Sequence, residues 1–229
     1  MNHIIFTVIP AFNEESTIHA VIEDVQKMCS NIIVVDDGSK DDTFGAAKAA
    51  GAMALRHIVN RGQGAALQTG IASALRRGAD IIVTFDADGQ HDPDDIERLI
   101  EPILQKRAEV VLGARFLMPN ARIPFTRLIV LRLALIHQWF FTGLRVTDTH
   151  CGLRAFSRKA AEKITITQDR MAHASEILEE IARHGLSFIE APVSVRYTER
   201  SLKKGQKNFF GSLKILYELF IGKFLSIKR

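Results

Sequence analysis

The stretch Ile81-Ile-Val-Thr-Phe-Asp-Ala-Asp-Gly-Gln-His-Asp-Pro93 decides how the rest of this chain is read. Its β-branched apolar run, Ile81, Ile82, Val83 and Phe85, has the composition of a strand buried on both faces of a parallel sheet. The run ends abruptly at Asp86 and Asp88, with Gln90 and His91 just beyond and Pro93 placed to open a helix. Two carboxylates one residue apart, where a buried strand emerges, are costly unless a cation sits between them. An all-oxygen donor set suits Mg2+ or Mn2+ holding a substrate's phosphates and does not suit zinc. The plainer reading is a polar strand end followed by an acidic helix start, Asp92, Asp94 and Asp95, which the helix dipole favours. Asp-x-Asp is common by chance, but the carboxyl end of a strand is where open α/β sheets bind ligands.

Upstream, strands and helices alternate. Ile4–Ile9 reads as a buried strand stopped by Pro10, and Asn13-Glu-Glu-Ser-Thr17 leads into a helix with Ile18, Val21, Ile22 and Val25 at helical spacing. Ile32–Val35 reads as a second buried strand, ending in Asp36-Asp37-Gly38-Ser39. A short alanine-rich helix (Phe44–Ala50) and a weaker strand (Ala52–His57) follow, and Asn60-Arg-Gly-Gln-Gly-Ala-Ala66 opens a helix running to Arg77. Past the Asp86/Asp88 strand come a helix near Asp94–Lys106 and a strand over Glu109–Leu112. The expected fold class is therefore α/β, with a mostly parallel central sheet flanked by helices.

A length of 229 residues allows one large domain or a domain with an extension. Two cysteines, Cys29 and Cys151, far apart, form neither a disulfide framework nor a zinc pattern, which fits a reducing compartment. The N-terminus lacks a basic region ahead of its first apolar run, so no signal peptide is expected. The first loop, Pro10-Ala-Phe-Asn-Glu14, lacks the Gly-x-Gly-x-x-Gly of a dinucleotide-binding fold, and no Gly-x-x-x-x-Gly-Lys-Ser/Thr is present. The net charge of +4 conceals an uneven distribution. Residues 200–229 hold eight Lys or Arg against Glu218 alone, and Val110–Thr147 has no acid but carries Arg115, Arg122, Arg127, Arg132 and Arg145. Such stretches suggest a polyanionic partner, an anionic membrane or phosphorylated substrate. Nucleic acid is disfavoured because aromatic residues are not interleaved with the lysines.

The second half changes character. Ile123–Leu144 is strongly apolar, but Arg127, Arg132 and His137 interrupt it, leaving no uncharged run of about eighteen residues to span a bilayer. A buried helix and a surface that meets lipid both fit. Asp148–Phe156 reads as a turn into a short strand, Ala172–His184 as a helix bearing Glu176, Glu179 and Glu180, and Phe188–Val195 as a strand whose Pro192 marks an edge or bend. In Asn208–Arg229, Phe209, Leu213, Leu216, Phe220 and Phe224 recur every three or four residues, with Lys214, Lys223 and Lys228 off that stripe. This is the pattern of a basic amphipathic helix in an anionic membrane interface, with a helix docked on the core as the alternative. The expected organisation is a domain over residues 1–207 followed by an interfacial helix over 208–229.

Taken together, Pro10-Ala-Phe-Asn-Glu14, Asp36-Asp37-Gly38-Ser39, Asn60-x-Gly-x-Gly-Ala65, Asp86-Ala-Asp88-x-Gln90-His-x-Pro93 and Gly113-Ala-Arg115 resemble the family-2 inverting glycosyltransferases. Within them the chain resembles the polyprenyl-phosphate sugar transferases of the dolichol-phosphate mannose or glucose synthase group. Asp148-Thr-His-Cys-Gly-Leu-Arg154 is similar to that group's acceptor-side motif, and the resemblance covers residues 4–207. It implies a nucleotide-diphospho-sugar transferase domain of the GT-A type, a UDP- or GDP-linked donor, a polyprenyl phosphate acceptor and Mg2+ or Mn2+. It further implies peripheral attachment at the cytoplasmic face of a membrane, and leaves oligomerisation open. By position, Pro10, Phe12, Glu14 and Asp37 would line the nucleoside pocket. Asp86, Ala87, Asp88 and Gln90 would meet the diphosphate, with Asp86, Asp88 and Gln90 as metal ligands. Arg115 would face the reacting phosphates, Cys151 and Arg154 would lie on the acceptor side, and Arg200 and Lys207 would close over the donor. The group's Arg-x-x-Gly-x-Ser-Lys appears here as Arg200-Ser-Leu-Lys-Lys-Gly-Gln-Lys207, one residue longer and with Gln206 in place of Ser, so the pattern leaves open which of Lys203, Lys204 and Lys207 takes that last role.

The chemistry agrees with these residues. Displacing a nucleoside diphosphate from an anomeric carbon builds negative charge on the leaving group, which a metal near Asp88 and a cationic Arg115 can stabilise. A phosphate monoester acceptor is already anionic and needs orientation, by Arg115 and Arg154, more than a base. A saccharide hydroxyl acceptor, as in cell-envelope polysaccharide assembly, would need a carboxylate base, with Asp148 the candidate and Glu176 of similar standing. A nucleotidyltransferase would carry a Gly-rich, Arg-containing first loop that is absent here. A non-catalytic membrane-surface module would have no use for Asp86, Asp88 and Arg115.

Overall fold

A computed structural model describes residues 3–117, 135, 138–140, 142–168 and 172–196. The chain lays down β1 (Ile5–Ala11), α1 (Glu15–Gln26), β2 (Ile32–Asp36), α2 (Thr43–Ala49), β3 (Met53–Arg56), α3 (Gln63–Arg76), β4 (Ile81–Thr84), α4 (Asp95–Leu104) and β5 (Val110–Ala114). A 3-10 turn (Arg115–Leu117) follows, then β6 (Arg154–Ser157), α5 (Arg158–Lys163), α6 (His173–Arg183) and β7 (Phe188–Pro192). These strands form one seven-stranded sheet in the order β3-β2-β1-β4-β6-β5-β7. All pairings are parallel except those of β6, which runs antiparallel to both β4 and β5.

The strands are apolar because both faces of the sheet are covered. Ile9, Val34, Val83 and Val111 face one layer with Ile18 and Ile22 of α1 and Ile96 and Leu99 of α4. Val8, Ile33, Val35, Ile82 and Val110 face the other, against Leu67 and Ile71 of α3 and Ile177, Leu178 and Ile181 of α6. Each of these strand side chains is fully buried, and burial of one such residue contributes about 1.5–3 kcal/mol. The sequence therefore has to be apolar nearly throughout β1, β2, β4 and β5 and striped along the helices packed on them.

Two expectations shift. β1 does not stop at Pro10 but continues through it to Ala11, with Pro10 opposite Val35. Thr7 N–H points towards β2, where it donates to Asn31, so the missing N–H of Pro10 faces the β4 side, beyond the last β1–β4 pair, Val8 and Thr84. No ladder bond is lost, which is why proline is tolerated there. Helix α5 was not anticipated: Ser157 caps it by accepting from Ala160 N–H, but six residues are too few to display a stripe. Pro192 does end an edge strand, β7. Met1–Val195 forms one compact unit. The 207/208 boundary, the helix over 208–229, Arg200, Lys203, Lys204 and Lys207 lie outside the described residues.

Candidate active site

β2 and β3 lie to one side of β1 and β4 to the other, so the strand order reverses between β1 and β4. That is the switch point where α/β sheets open a crevice beyond their strand ends. A cavity of about 560 Å³ lies there, lined by Pro10, Ala11, Phe12, Glu14, Asp37, Asn60, Gly62, Gln63, Ala66, Asp86, Ala87 and Asp88. The structure thus brings together seven residues expected at the donor: Pro10, Phe12, Glu14, Asp37, Asp86, Ala87 and Asp88.

Three loops build the walls and tie one another down. Asn13 N–H donates to Ser39 Oγ (2.9 Å) and Lys40 N–H to Asn13 Oδ1 (2.9 Å), clipping the β1–α1 loop to the β2–α2 loop. Asp37, buried, accepts from the backbone N–H groups of Arg61 (3.0 Å) and Gly62 (2.6 Å) and from His57 Nδ1 (2.7 Å), while His57 Nε2 meets Thr69 Oγ1 at 3.0 Å. Gly38, at φ +72°, leaves no room for a side chain: a Cβ would lie 2.9 Å from Asn60 N. Glu14 Oε2 accepts from Thr17 (2.9 Å), and Phe12, which lines the cavity, remains 42% exposed.

At the end of β4, Asp86 accepts from Gln63 Nε2 (3.0 Å) and from His91 Nε2 (3.0 Å). Burial opposes ionisation of Asp86, but His91 outweighs it and holds the carboxyl below its ordinary value. Burial likewise opposes charge on His91, yet the bond and charge of Asp86 raise its pKa. Asp88 is the reverse case: burial first, then the neighbouring charge of Asp86, raise its pKa, although Gln90 N–H (3.0 Å) and the Gln90 amide both donate to it. Two carboxylates confined together, one destabilised as an anion, form a place that favours a cation. Among the described residues no group of three or more His, Cys, Asp or Glu is arranged to hold a metal.

The acceptor-side motif lies beside these carboxylates. Because β6 is antiparallel, its first residue, Arg154, pairs with Thr84 at the end of β4, and the loop before it reaches the same sheet end. Thr84 Oγ1 donates to Gly152 O (2.6 Å), and Arg154, 5% exposed, donates to Thr149 O (3.0 Å). Arg115 Nε and Nη2 donate to both oxygens of Asp148, at 2.6 and 2.8 Å. Burial would raise the pKa of Asp148, but Arg115 more than compensates and holds it low. Cys151 is packed in the core, its thiol pushed up to about 12 by burial and then by the Asp148 charge. Glu176, the alternative candidate base, is 9% exposed and accepts from Thr167 and Gln168 N–H (3.0 and 2.9 Å).

Sequence reasoning assigned no role to Gln63, His57 or Gly152, and His91 entered only as part of a motif. Gln63 and His91 had a signal, their places within the glycine-rich and Asp-x-Asp motifs; His57 stands in none.

The family model for Glycosyl transferase family 2 matches residues 7–165. The chain is 37% identical over 243 residues to the UDP-N-acetylglucosamine–dolichyl-phosphate N-acetylglucosaminyltransferase of Methanococcus voltae, covering 96% of each. It is 31% identical over 212 residues to the polyprenol monophosphomannose synthase of Mycolicibacterium smegmatis, covering 85% of this chain and 77% of that one. Glucosyl-3-phosphoglycerate synthase from Mycobacterium tuberculosis, solved with Mn2+, UDP and glucosyl-3-phosphoglycerate, shares the fold, with a TM-score of 0.67 at 22% identity over 93% of this chain and 79% of that one. The chain belongs to glycosyltransferase family 2 and is a glycosyltransferase with a GT-A fold.

Proposed function

We propose that this glycosyltransferase moves a hexose from a nucleotide-diphospho-sugar to a polyprenyl phosphate, with inversion at the anomeric carbon and with Mg2+ or Mn2+. The observation that carries this reading is the direct approach of Gly152 to Asp86, which puts the loop joining Asp148 to Arg154 beside the donor carboxylates. The Methanococcus voltae relative is named for both a UDP-linked donor and a dolichyl phosphate acceptor, which supports this substrate pair and makes UDP-N-acetylglucosamine the first donor to try.

Asp86, Asp88 and the amide oxygen of Gln90 offer hard donors, and a cation would relieve the penalty that burial and the Asp86 charge place on ionised Asp88. When bound, the metal would offset charge on the departing diphosphate. Pro10 and Phe12 would hold the base, and Asp37 and Glu14 would fix the loops around it. Arg115 and Arg154 would orient the acceptor phosphate, with Arg200 and Lys207 supplying further positive charge over the donor. Asp148 serves here as the holder of Arg115 rather than as a base, since both its oxygens are engaged and its pKa is low.

No described helix is long and apolar enough to cross a membrane. Trp139 and Phe140 are 49% and 79% exposed, and the guanidinium of Arg145 lies 5.7 Å from the Trp139 ring. An aromatic face flanked by positive charge supports peripheral attachment to an anionic surface, on the cytoplasmic side where nucleotide sugars would be met.

The test is a screen of UDP- and GDP-sugars with Mn2+ or Mg2+, with and without a short-chain polyprenyl phosphate. Transfer that depends on the polyprenyl phosphate is expected. Transfer to saccharide hydroxyls instead would replace the acceptor assignment.

A further inference from the structure

Glu190 stands in none of the motifs, on the edge strand β7. Its Oε1 accepts three hydrogen bonds from the start of the acceptor-side loop: Thr147 N–H (2.7 Å), Thr147 Oγ1–H (3.0 Å) and Asp148 N–H (3.2 Å). Asp148 then accepts Arg115 Nε (2.6 Å), Arg115 Nη2 (2.8 Å) and the backbone N–H of Arg115 (3.2 Å). Two carboxylates therefore stand in series between a sheet edge and a guanidinium. The loop has no helix or strand of its own from Gly143 to Leu153, so its backbone must be placed by such contacts. Its far end is fixed through Gly152 O and through Leu153 O, which accepts Gly113 N–H at 2.9 Å; Glu190 fixes the near end. A buried aspartate can set the direction of an arginine only if its own backbone is set first.

We propose that Glu190 is a positioning residue for sugar transfer: it places the Asp148 backbone, Asp148 aims the Arg115 guanidinium, and Arg115 meets the acceptor phosphate. The last step rests on the acceptor reading given above; the first two do not.

Two measurements separate those parts. The first is hydrogen exchange at Arg115 Nε, followed by nitrogen-15 NMR in the full chain. Glu190→Ala should speed it about tenfold or more, whereas Glu190→Gln, which keeps an acceptor oxygen, should stay near wild type. The second is transfer from UDP-N-acetylglucosamine to a short-chain polyprenyl phosphate with Mn2+. Glu190→Ala should raise the acceptor KM about tenfold while the donor KM holds, because Arg115 is misaimed and the donor cavity is untouched. If Glu190→Ala fails to fold, Thr147→Val removes only the hydroxyl donor and should give a smaller change in the same direction. Unchanged exchange in the variant overturns the inference, as does an equal rise in both KM values, which would mark general loosening. A wild-type enzyme that transfers no sugar to polyprenyl phosphate overturns the parent reading instead, and the NMR result then decides the structural part by itself.

Discussion

Gly152 lies so close to Asp86 that a Cβ on it would be 2.3 Å from Asp86 Oδ2 and 2.4 Å from Oδ1. The constraint is space rather than backbone angle, and the Asp86 carboxylate cannot simply swing aside, since Gln63 and His91 hold it at 3.0 Å each. Gly152→Ala should therefore displace Asp86 from its partners. We expect a stability loss of about 1–3 kcal/mol and a fall in turnover of about tenfold or more. Thermal melts and initial rates on the same preparation check this, and an alanine variant with wild-type turnover would show that the contact has no bearing on the donor.

Asp88→Asn removes the charge that burial and Asp86 already disfavour. Stability should hold or rise slightly, while metal-dependent turnover falls by about two orders of magnitude or more. Titrating Mn2+ against wild type and variant, with EDTA as control, is the measurement. Full activity in EDTA would take the metal out of the reaction.

Asp148→Asn breaks the pair with Arg115. The folded-state pKa of Asp148 is depressed below the ordinary 3.8, so its contribution is present above that value and is lost as pH falls through the folded pKa. The variant should be less stable by about 2 kcal/mol at pH 7, because the partly buried Arg115 guanidinium loses the Asp148 charge. The gap should close below about pH 4. Urea unfolding at stepped pH reads it, and a gap that persists undiminished at the lowest pH would exclude the ion pair as its origin.

Cys151 should be chemically silent. With its pKa pushed up to about 12, it is a neutral thiol at pH 8, and it is 2% exposed. A thiol reagent should label it only after denaturation. Rapid labelling of Cys151 in the native protein would mean that the acceptor side opens far more than its packing indicates.

Membrane attachment is expected to depend on both charge and the C-terminal stripe from Phe209 to Phe224. Each Lys or Arg near an anionic surface adds about 1 kcal/mol, so flotation with phosphatidylserine vesicles should weaken at high salt and in a chain ending at Lys207. Should neither chain float at low salt, the lipid surface is the wrong partner.

β1, β2 and β4 were legible because each is a nearly continuous apolar run, and α1 and α3 because each carries a stripe, so a change of period marks their boundaries. The cavity was legible too, because Pro10, Asp37, Asp86 and Asp88 that line it sit at or just beyond strand ends. β6 was not. Arg154–Ser157 is four residues long, and neither its direction nor its insertion between β4 and β5 has a local signal. The pairing of Asp148 with Arg115 was equally hidden, because it joins residues 33 apart in sequence. Asp95 does open α4, as read, but its burial (1% exposed) and its bond from Ser194 N–H at 2.6 Å have no local signal.

The reversed strand β6 also dictates an order of assembly. β1, β2, β3 and β4 pair through short local crossovers, and every cavity-lining residue from Pro10 to Asp88 belongs to that half. β4 and β5 share no hydrogen bonds, so β5 can join the sheet only after residues 115–153 have been laid out and β6 has returned between them. Contacts that close long loops form late. On the ribosome, the half that holds the cavity can be built before the half that carries β6 and β7 has been synthesised. A nucleotide captured at that stage would stabilise the nascent chain by mass action, making the donor a folding ligand as well as a substrate.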